Sequence, residues 1–576
     1  MKAASALVVR EVRGWRNLLV QGLLVFGAGI VLVRAFELQI LQRDFLSHEG
    51  EKRSVRVVEV PPHRGAIRDR NGEPLALSAP ADSLWTIPSE LLAAPEYLPA
   101  LAKLLDMKDR ELKDFLQERS GKQFVYLRRQ ISPEEASRIM ELKAPGLFSQ
   151  REYRRYYPAG EIAGHVVGFT DLDDRGQEGI EASQESVLAG KAGARRVIRD
   201  RTGRVVEEGE DMQAAQPGQD VLLTLDERLQ YFAYRELKAQ VAQTHAKGGL
   251  VVVADSHSGD ILAIANQPGF NPNRPEERAS AGLRNRAVTD IFEPGSTIKP
   301  LLIARGLELG SVHESDRVDT GKGVWTVNRG LTIHDTHAHG VVDLATLLAV
   351  SSNIGAAKIG LQMGPEAIYT GYRNFGIGTP VAAGFRGEAN GVLASFGHWG
   401  ETGTATASYG YGVSVNALQL VRAYCAIAND GLMPQLSILD QSRTEPVQRA
   451  ISANVARQVR HLLEGVVSDE GTAKKAEVKG YKVAGKTGTI RKNEGRGYFE
   501  NRHQSVFIGM VPAEHPRLVG LVMIDEPAGQ YYGGLVAAPV FSNVMEAAAR
   551  LLQLPPDQVT PVTQTAATKS ATEPRT

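Results

Sequence analysis

"GYKVAGKTGTI", residues Gly480 to Ile490, admits two incompatible readings, and the choice between them decides the fold. By spacing, Gly480 to Thr487 spells G-x-x-x-x-G-K-T, the loop that cradles phosphates in nucleotide hydrolases. Such a loop needs a strand before its first glycine and a helix starting at its Lys-Thr, because the helix N-terminus supplies the amides that hold phosphate. Here Thr487 is followed by Gly488, by β-branched Thr489 and Ile490, and by the loop residues "NEGRG". Glycine breaks the first turn and the β-branched pair prefers a strand. Upstream, "YKVAGKTGT" reads as one strand running through its glycines. The apolar "RLVGLVMIDEP" follows with no helix to form the crossover that a nucleotide fold requires. The stretch is therefore expected to be a sheet strand, and no nucleotide is expected as ligand.

Working outward, "SVFIGMV" and "RLVGLVMID" read as further strands, and "VFSNVMEAAARLLQL" as the last helix. Far upstream, Val221 to Leu225 reads as a strand that leads into a long amphipathic helix. "GGLVVVADSHSGDILAIAN" then reads as two strands joined at "SHSGD". A turn this tight pairs its strands antiparallel. Helix-like runs fill the chain from Gly295 to about Ala428. Strands at both ends of a domain with helices between them make an α+β domain. Before it, "SVRVVEVPPHRGAIRDRNGEPLALS" offers alternating strands around an "RNG" turn. Residues 87 to 150 read as helical, with Ser132 as an N-cap before Pro133. The Pro- and Thr-rich end, 553–576, reads as a disordered tail.

Composition excludes some classes and places the chain. Lys plus Arg and Asp plus Glu balance at 66 each, so no global field points to nucleic acid. The single cysteine, Cys425, has no disulfide partner and sits in an apolar helical run, where it serves as a small hydrophobe. Asn17 to Val33 is uncharged, lies between Arg16 and Arg34, and as a helix reaches roughly 26 Å at about 1.5 Å per residue. Lys2, Arg10, Arg13 and Arg16 precede it, so the expectation is an uncleaved signal anchor with a cytoplasmic N-terminus and an exported remainder.

Chemistry enters at "FEPGSTIKP". Ser296 and Lys299 are three residues apart, which on a helix puts both side chains on one face, where the amine can take the hydroxyl proton. Pro294-Gly295 turns the chain just before, so that Ser296 stands at a helix N-terminus whose unpaired amides suit an oxyanion. Three Ser-x-Asn triplets can complete a serine acyl-transfer site: Ser351 to Asn353, Ser414 to Asn416, and Ser452 to Asn454. Ser452 precedes an amphipathic helix and reads as a cap, and Ser414 to Asn416 reads as loop. Ser351 to Asn353 lies between two apolar helical runs, where a polar turn can face a cleft. "IHDTHAHG" gathers His334, His337 and His339 beside Asp335 in a metal-like cluster. Arg64, Asp69 and Arg70 read as structural ion pairs.

Together "FEPGSTIKP", "AVSSNIGAAKIG", "SYGYGVSVNALQLVRAYCAIANDG", "VAGKTGT" and "DEPAGQYYGGLVAAPVFSNVM" resemble the class B penicillin-binding proteins, specifically the division-type (FtsI-like) peptidoglycan D,D-transpeptidases. "RGAIRDRNGEPLA" and "YYPAGEIAGHVVGFTD" resemble their pedestal region. The resemblance implies an antiparallel five-stranded sheet with helices on both faces and an all-helical subdomain. The domains would be a cytoplasmic N-terminus (1–16), a transmembrane anchor (17–36), a periplasmic pedestal (37–220), a transpeptidase domain (221–552) and the tail. It further implies Ser296 as nucleophile and Lys299 as its base, with Ser351, Asn353 and Lys486 completing the catalytic set. Thr487, Gly488, Thr489 and Tyr532 would bind substrate. The implied partners are peptidoglycan stem peptides, as D-Ala-D-Ala donor and amine acceptor, β-lactams held covalently at Ser296, and an FtsW-type glycan polymerase at the septum. The resemblance implies neither cofactor nor metal, the histidine stretch being a loop.

Overall fold

The structure, a computed structural model, describes residues 14–45, 55–199, 205–279, 281–441, 447–493 and 497–557. A helix spans Gly14–Phe36 with none of its residues buried. Together with the wider π-helical turn Glu37–Leu41 after it, this run is long and apolar enough to cross a membrane. The expected cytoplasmic segment before it lies outside the described residues, apart from Gly14 to Arg16.

Next come two small sheets. Val55–Val60 pairs antiparallel with Gly193–Arg199, which pairs in turn with Val205–Gln213. The long strand Pro74–Thr86 pairs with Val125–Ile131 on one edge and with Leu147–Tyr156 on the other. The first lies wholly inside 87–150 and the second begins there, so the purely helical expectation for that stretch is corrected. Four helices do form there, Pro88–Leu92, Leu98–Leu104, Asp109–Gln117 and Pro133–Met140. Ser132 caps the last of them by accepting from Glu135 N. Val125–Ile131 and Leu147–Tyr156 become strands because Pro74–Thr86 offers two free edges, and a sequence window cannot see an edge supplied from elsewhere. Helices and strands here enclose a separate small core that includes Leu84, Leu101, Leu112 and Ile139.

Ile67, Leu75, Tyr157 and Val166, by contrast, belong to the same continuous core as the large sheet that follows, with Val251 and Leu521. Within it Arg64, only 1% exposed, donates to Glu181 Oε2 at 2.7 Å and to Glu185 Oε2 at 2.7 Å, while Arg155 donates to Glu181 Oε1 at 2.6 Å. The expected ion pair at Arg64 is thus present. Asp69 instead accepts the backbone N–H groups of Asn71, Glu73 and Glu227, and exposed Arg70 has no ion pair among the described residues.

Five strands form the largest sheet of the second half of the chain: β1 Gly248–Asp255, β2 Ile261–Gln267, β3 Ala484–Asn493, β4 Tyr498–Val511 and β5 Leu518–Asp525. The spatial order is β2-β1-β5-β4-β3, every pair antiparallel. β1 and β5 are buried at every position, which explains their unbroken apolar runs: helices cover both faces. Glu227–Gln243 and Ala538–Leu551 lie against one another and the sheet, and Ala417–Ala428 packs against β1 and β5. That last helix holds Cys425 fully buried. The opening stretch is the edge strand β3, as expected, although it begins at Ala484 rather than Tyr481. The expected strand Val221 to Leu225 shortens to Val221–Leu222. Residues 553–557, expected as the start of the tail, are held by Tyr481 OH donating to Leu554 O and by Lys482 N donating to Asp557 Oδ1. The remainder of the expected tail lies outside the described residues.

Candidate active site

Ser296 is placed by a turn held on both sides. Phe292 exchanges two backbone hydrogen bonds with Val415, and Gly295 N donates to Gly410 O. Gly410 has to be glycine at this contact: its φ is +89°, and a Cβ there would lie 2.2 Å from Gly295 O. Gly295–Ile298 then forms a 3₁₀ turn that continues into the helix Lys299–Leu309, with Pro300 in the first turn where it costs no hydrogen bond. At three residues per turn, positions 296 and 299 eclipse. Lys299 is fully buried while Ser296 opens on a cleft. Among the described residues the Ser296 hydroxyl has no hydrogen-bond partner.

The Lys299 ammonium is engaged from one direction only. Its Nζ donates to Ser351 O at 2.6 Å, to Asn353 Oδ1 at 2.8 Å and, more weakly, to Ser351 Oγ at 3.3 Å. Ser351 sits between the helices Leu344–Ala349 and Asn353–Met363 with φ +62°, a left-handed turn that points its carbonyl and hydroxyl back toward the lysine. Lys486 on β3, also fully buried, donates to the same Ser351 Oγ at 2.9 Å. Two amines therefore share one hydroxyl. Burial holds the Lys299 ammonium well below its ordinary range, and the positive charge of Lys486 lowers it further, against the opposing charge of Asp335. Burial alone brings Lys486 down to about 7.

The cleft above holds about 560 Å³ and is lined by Ser296, Ser351, Asn353, Thr487, Thr489 and Tyr532, among others. Lys299 and Lys486 lie beneath it. Thr489 Oγ1 accepts from Gly533 N, and Thr487 Oγ1 lies 2.9 Å from Thr472 Oγ1. Half-exposed Tyr532 stacks at a tilt on Tyr531, which lies flat on His503 at 4.0 Å. Gly488 is absent from the lining. A Cβ there would meet Thr297 Cγ2 at 3.0 Å, so the close approach it permits is that of the Ser296 turn to β3.

The other two Ser-x-Asn triplets are caps. Asn416 forms a reciprocal capping box with Gln419, which corrects its reading as loop, and Ser452 caps Ala453–Glu464. In the histidine stretch, His337 and His339 line the cleft. Asp335 turns away from them: Oδ1 accepts from Asn353 N at 2.6 Å and Ile354 N at 3.2 Å, and Oδ2 accepts the Ser352 hydroxyl. Sequence reasoning saw this acid only as a metal-like neighbour of histidines. It also missed Thr472, Arg491 and His503 in the cleft wall, none of which carries a local signal.

Comparison with known proteins gives a consistent picture. Residues 249–546 match the family described as the penicillin binding protein transpeptidase domain, and residues 59–223 the one described as the penicillin-binding protein dimerisation domain. A protein named "Probable peptidoglycan D,D-transpeptidase PbpC", from Pseudomonas aeruginosa, is 40% identical over 95% of this chain and 97% of its own length. "Peptidoglycan D,D-transpeptidase FtsI" of Escherichia coli is 38% identical over 95% and 93%. Among solved structures, penicillin-binding protein 3 of Mycobacterium tuberculosis complexed with aztreonam aligns with a TM-score of 0.67 at 29% identity, covering 87% of this chain and all of that one. The transpeptidase domain of penicillin-binding protein 3 from Burkholderia pseudomallei aligns at 40% identity with a TM-score of 0.54, over 58% of this chain and 98% of that domain.

Proposed function

The chain belongs to the penicillin-binding protein transpeptidases, and on that premise we propose that it is a serine peptidoglycan D,D-transpeptidase that cross-links stem peptides in septal wall synthesis. The observation that carries the mechanism is the fully buried Lys299 amine, bound by Ser351 and Asn353 and one turn from the Ser296 hydroxyl, which opens on the cleft. An ordinary lysine is protonated at neutral pH and cannot act as a base. A lysine desolvated beside a second ammonium can.

In this reading neutral Lys299 takes the proton of Ser296 as Oγ attacks the carbonyl of the penultimate D-Ala. The backbone N–H groups of Ser296 and Thr489 hold the oxyanion that forms. Ser351, bonded to both lysines, passes a proton to the departing nitrogen, so that the C–N bond breaks and terminal D-Ala leaves. Asn353 bonds the substrate amide as well as Lys299. Thr487 and Thr489, with the charge of Lys486, receive the terminal carboxylate. The acyl-enzyme is then attacked by an acceptor amine, whose proton returns by the same route and restores Ser296. A β-lactam enters as donor and leaves its opened ring on Ser296.

The apolar helix Gly14–Phe36 supports a membrane anchor. With basic residues before it, the N-terminus lies in the cytoplasm and the catalytic domain in the periplasm. An FtsW-type polymerase is the proposed membrane partner. The test is mass spectrometry after exposure to labelled penicillin: the adduct is expected on Ser296, with none in Ser296→Ala. A folded wild type that takes no label refutes the enzymatic reading. Filamentation on depletion supports the septal role, and rounded cells oppose it.

A further inference from the structure

Asn353 presents its Oδ1 to Lys299, and an amide can do this only if its other end is fixed. Its Nδ2 donates to His334 O at 3.2 Å, so the segment His334–Asp335 determines which way the amide points. The next residue grips the backbone of the same turn. Asp335 takes the N–H groups of Asn353 and Ile354 and the hydroxyl of Ser352, while that hydroxyl accepts from Gly355 N at 3.0 Å. Three of the four N–H groups that a helix leaves unpaired at its start are thereby satisfied, two of them by an acid from 18 residues upstream. The helix so capped begins at Asn353, two residues after Ser351 in its left-handed conformation.

We propose that Asp335 is a positioning residue for the acylation step: it holds the Ser351–Asn353 turn so that Ser351 O and Asn353 Oδ1 meet the Lys299 amine. Asp335 does not itself line the cleft and has no bond to the reacting serine; it acts through Asn353, which does line it. Its second effect is electrostatic. The charged groups that act on Lys299 are Lys486, from β3, and Asp335, from the loop after the strand Leu331–His334. The other groups facing the amine, Ser351 and Asn353, carry no charge. Asp335 opposes Lys486 and favours the protonated amine. Removing its charge lets the amine lose its proton at lower pH, so the acid limb of acylation moves toward lower pH. A merely structural cap would leave that limb where it is.

The inference rests on Lys299 as base, and the experiment separates the two. The second-order rate of acylation by fluorescent penicillin is measured against pH for the full-length wild type, Asp335→Asn and Asp335→Glu. Asp335→Asn is expected to react up to about 100-fold more slowly, the cost of displacing a catalytic group by about an ångström, with its acid limb at lower pH. Asp335→Glu, which keeps the charge on a longer arm, is expected to react more slowly with the limb unmoved. A wild type with no acid limb refutes the role of Lys299. A wild type with the limb, beside a folded Asp335→Asn whose limb coincides with it or whose rate is unchanged, refutes the role of Asp335. If Asp335→Asn fails to fold, Asp335→Glu decides: a wild-type rate there overturns the proposal.

Discussion

Replacing Lys486 by methionine is expected to make the protein more stable and less active at once. The amine is fully buried, and burial lowers it from an ordinary 10.5 to about 7. The unfolded chain therefore binds a proton more tightly than the folded one. At neutral pH this difference costs the fold about 4 kcal/mol, at about 1.4 kcal/mol for each tenfold change in proton affinity. Methionine is unbranched, fills nearly the same volume and has nothing to desolvate. Against that gain stands the lost bond from Nζ to Ser351 Oγ, worth about 1 to 2 kcal/mol. A net gain of about 2 to 3 kcal/mol corresponds to a rise in Tm of about 5 °C for a domain of this size. The sign of the pH dependence follows from the same linkage. The desolvation part of the advantage is full below about pH 7, narrows as pH rises, and vanishes near 10.5, where the unfolded lysine also gives up its proton and only the loss of the hydrogen bond remains. Thermal denaturation at pH 6, 8 and 10 measures the gap, and the rate of labelling by fluorescent penicillin at pH 7 should fall by about 100-fold or more. A variant no more stable than the wild type at pH 6, or a gap that does not narrow by pH 10, refutes the reasoning.

Glu181→Ala leaves Arg64 and Arg155 buried without their shared carboxylate, and should cost about 3 to 5 kcal/mol, read as a lower urea midpoint. His165 is buried against the edge of Phe270 with Nε2 on Gly282 O, and burial lowers its pKa to about 4. Its unfolded form gains a proton below about 6.5, so the wild type should lose about 3 kcal/mol between pH 6.5 and 4 that His165→Gln does not lose. Urea titrations of both proteins at pH 7 and 4.5 check this, and parallel losses in the two refute it.

Much of the fold was legible because its signals are local. β1 and β2 declare themselves as apolar runs around a tight turn. Ser132 stands one residue before a helix-starting proline, and Ser452 caps the helix that follows it. What failed was set by partners distant in sequence: Val125–Ile131 and Leu147–Tyr156 are strands because Pro74–Thr86 lies between them. The candidate site divides in the same way. Ser296 and Lys299 are bound by a single turn, so their spacing already placed them together. Ser351, Asn353 and Lys486 could be proposed from triplets, but the choice among three Ser-x-Asn matches needed resemblance, and their convergence on one amine needed the fold.

The reading of Gly480 to Ile490 shows where the division falls. Sequence alone determined that its second half, from Ala484, is a strand, because Gly488 and two β-branched residues oppose the helix that a phosphate loop requires, and backbone preference acts over a few residues. Only tertiary structure decided what the strand does. It lies at the edge of the sheet, sends a desolvated Lys486 under Ser351, and lets the Ser296 turn press against Gly488. It also decided that Asp335, read as a neighbour of histidines, grips the turn that faces Lys299. Burial and charge at an amine are sums over groups that the chain brings together from some 190 residues apart, and no local window contains them.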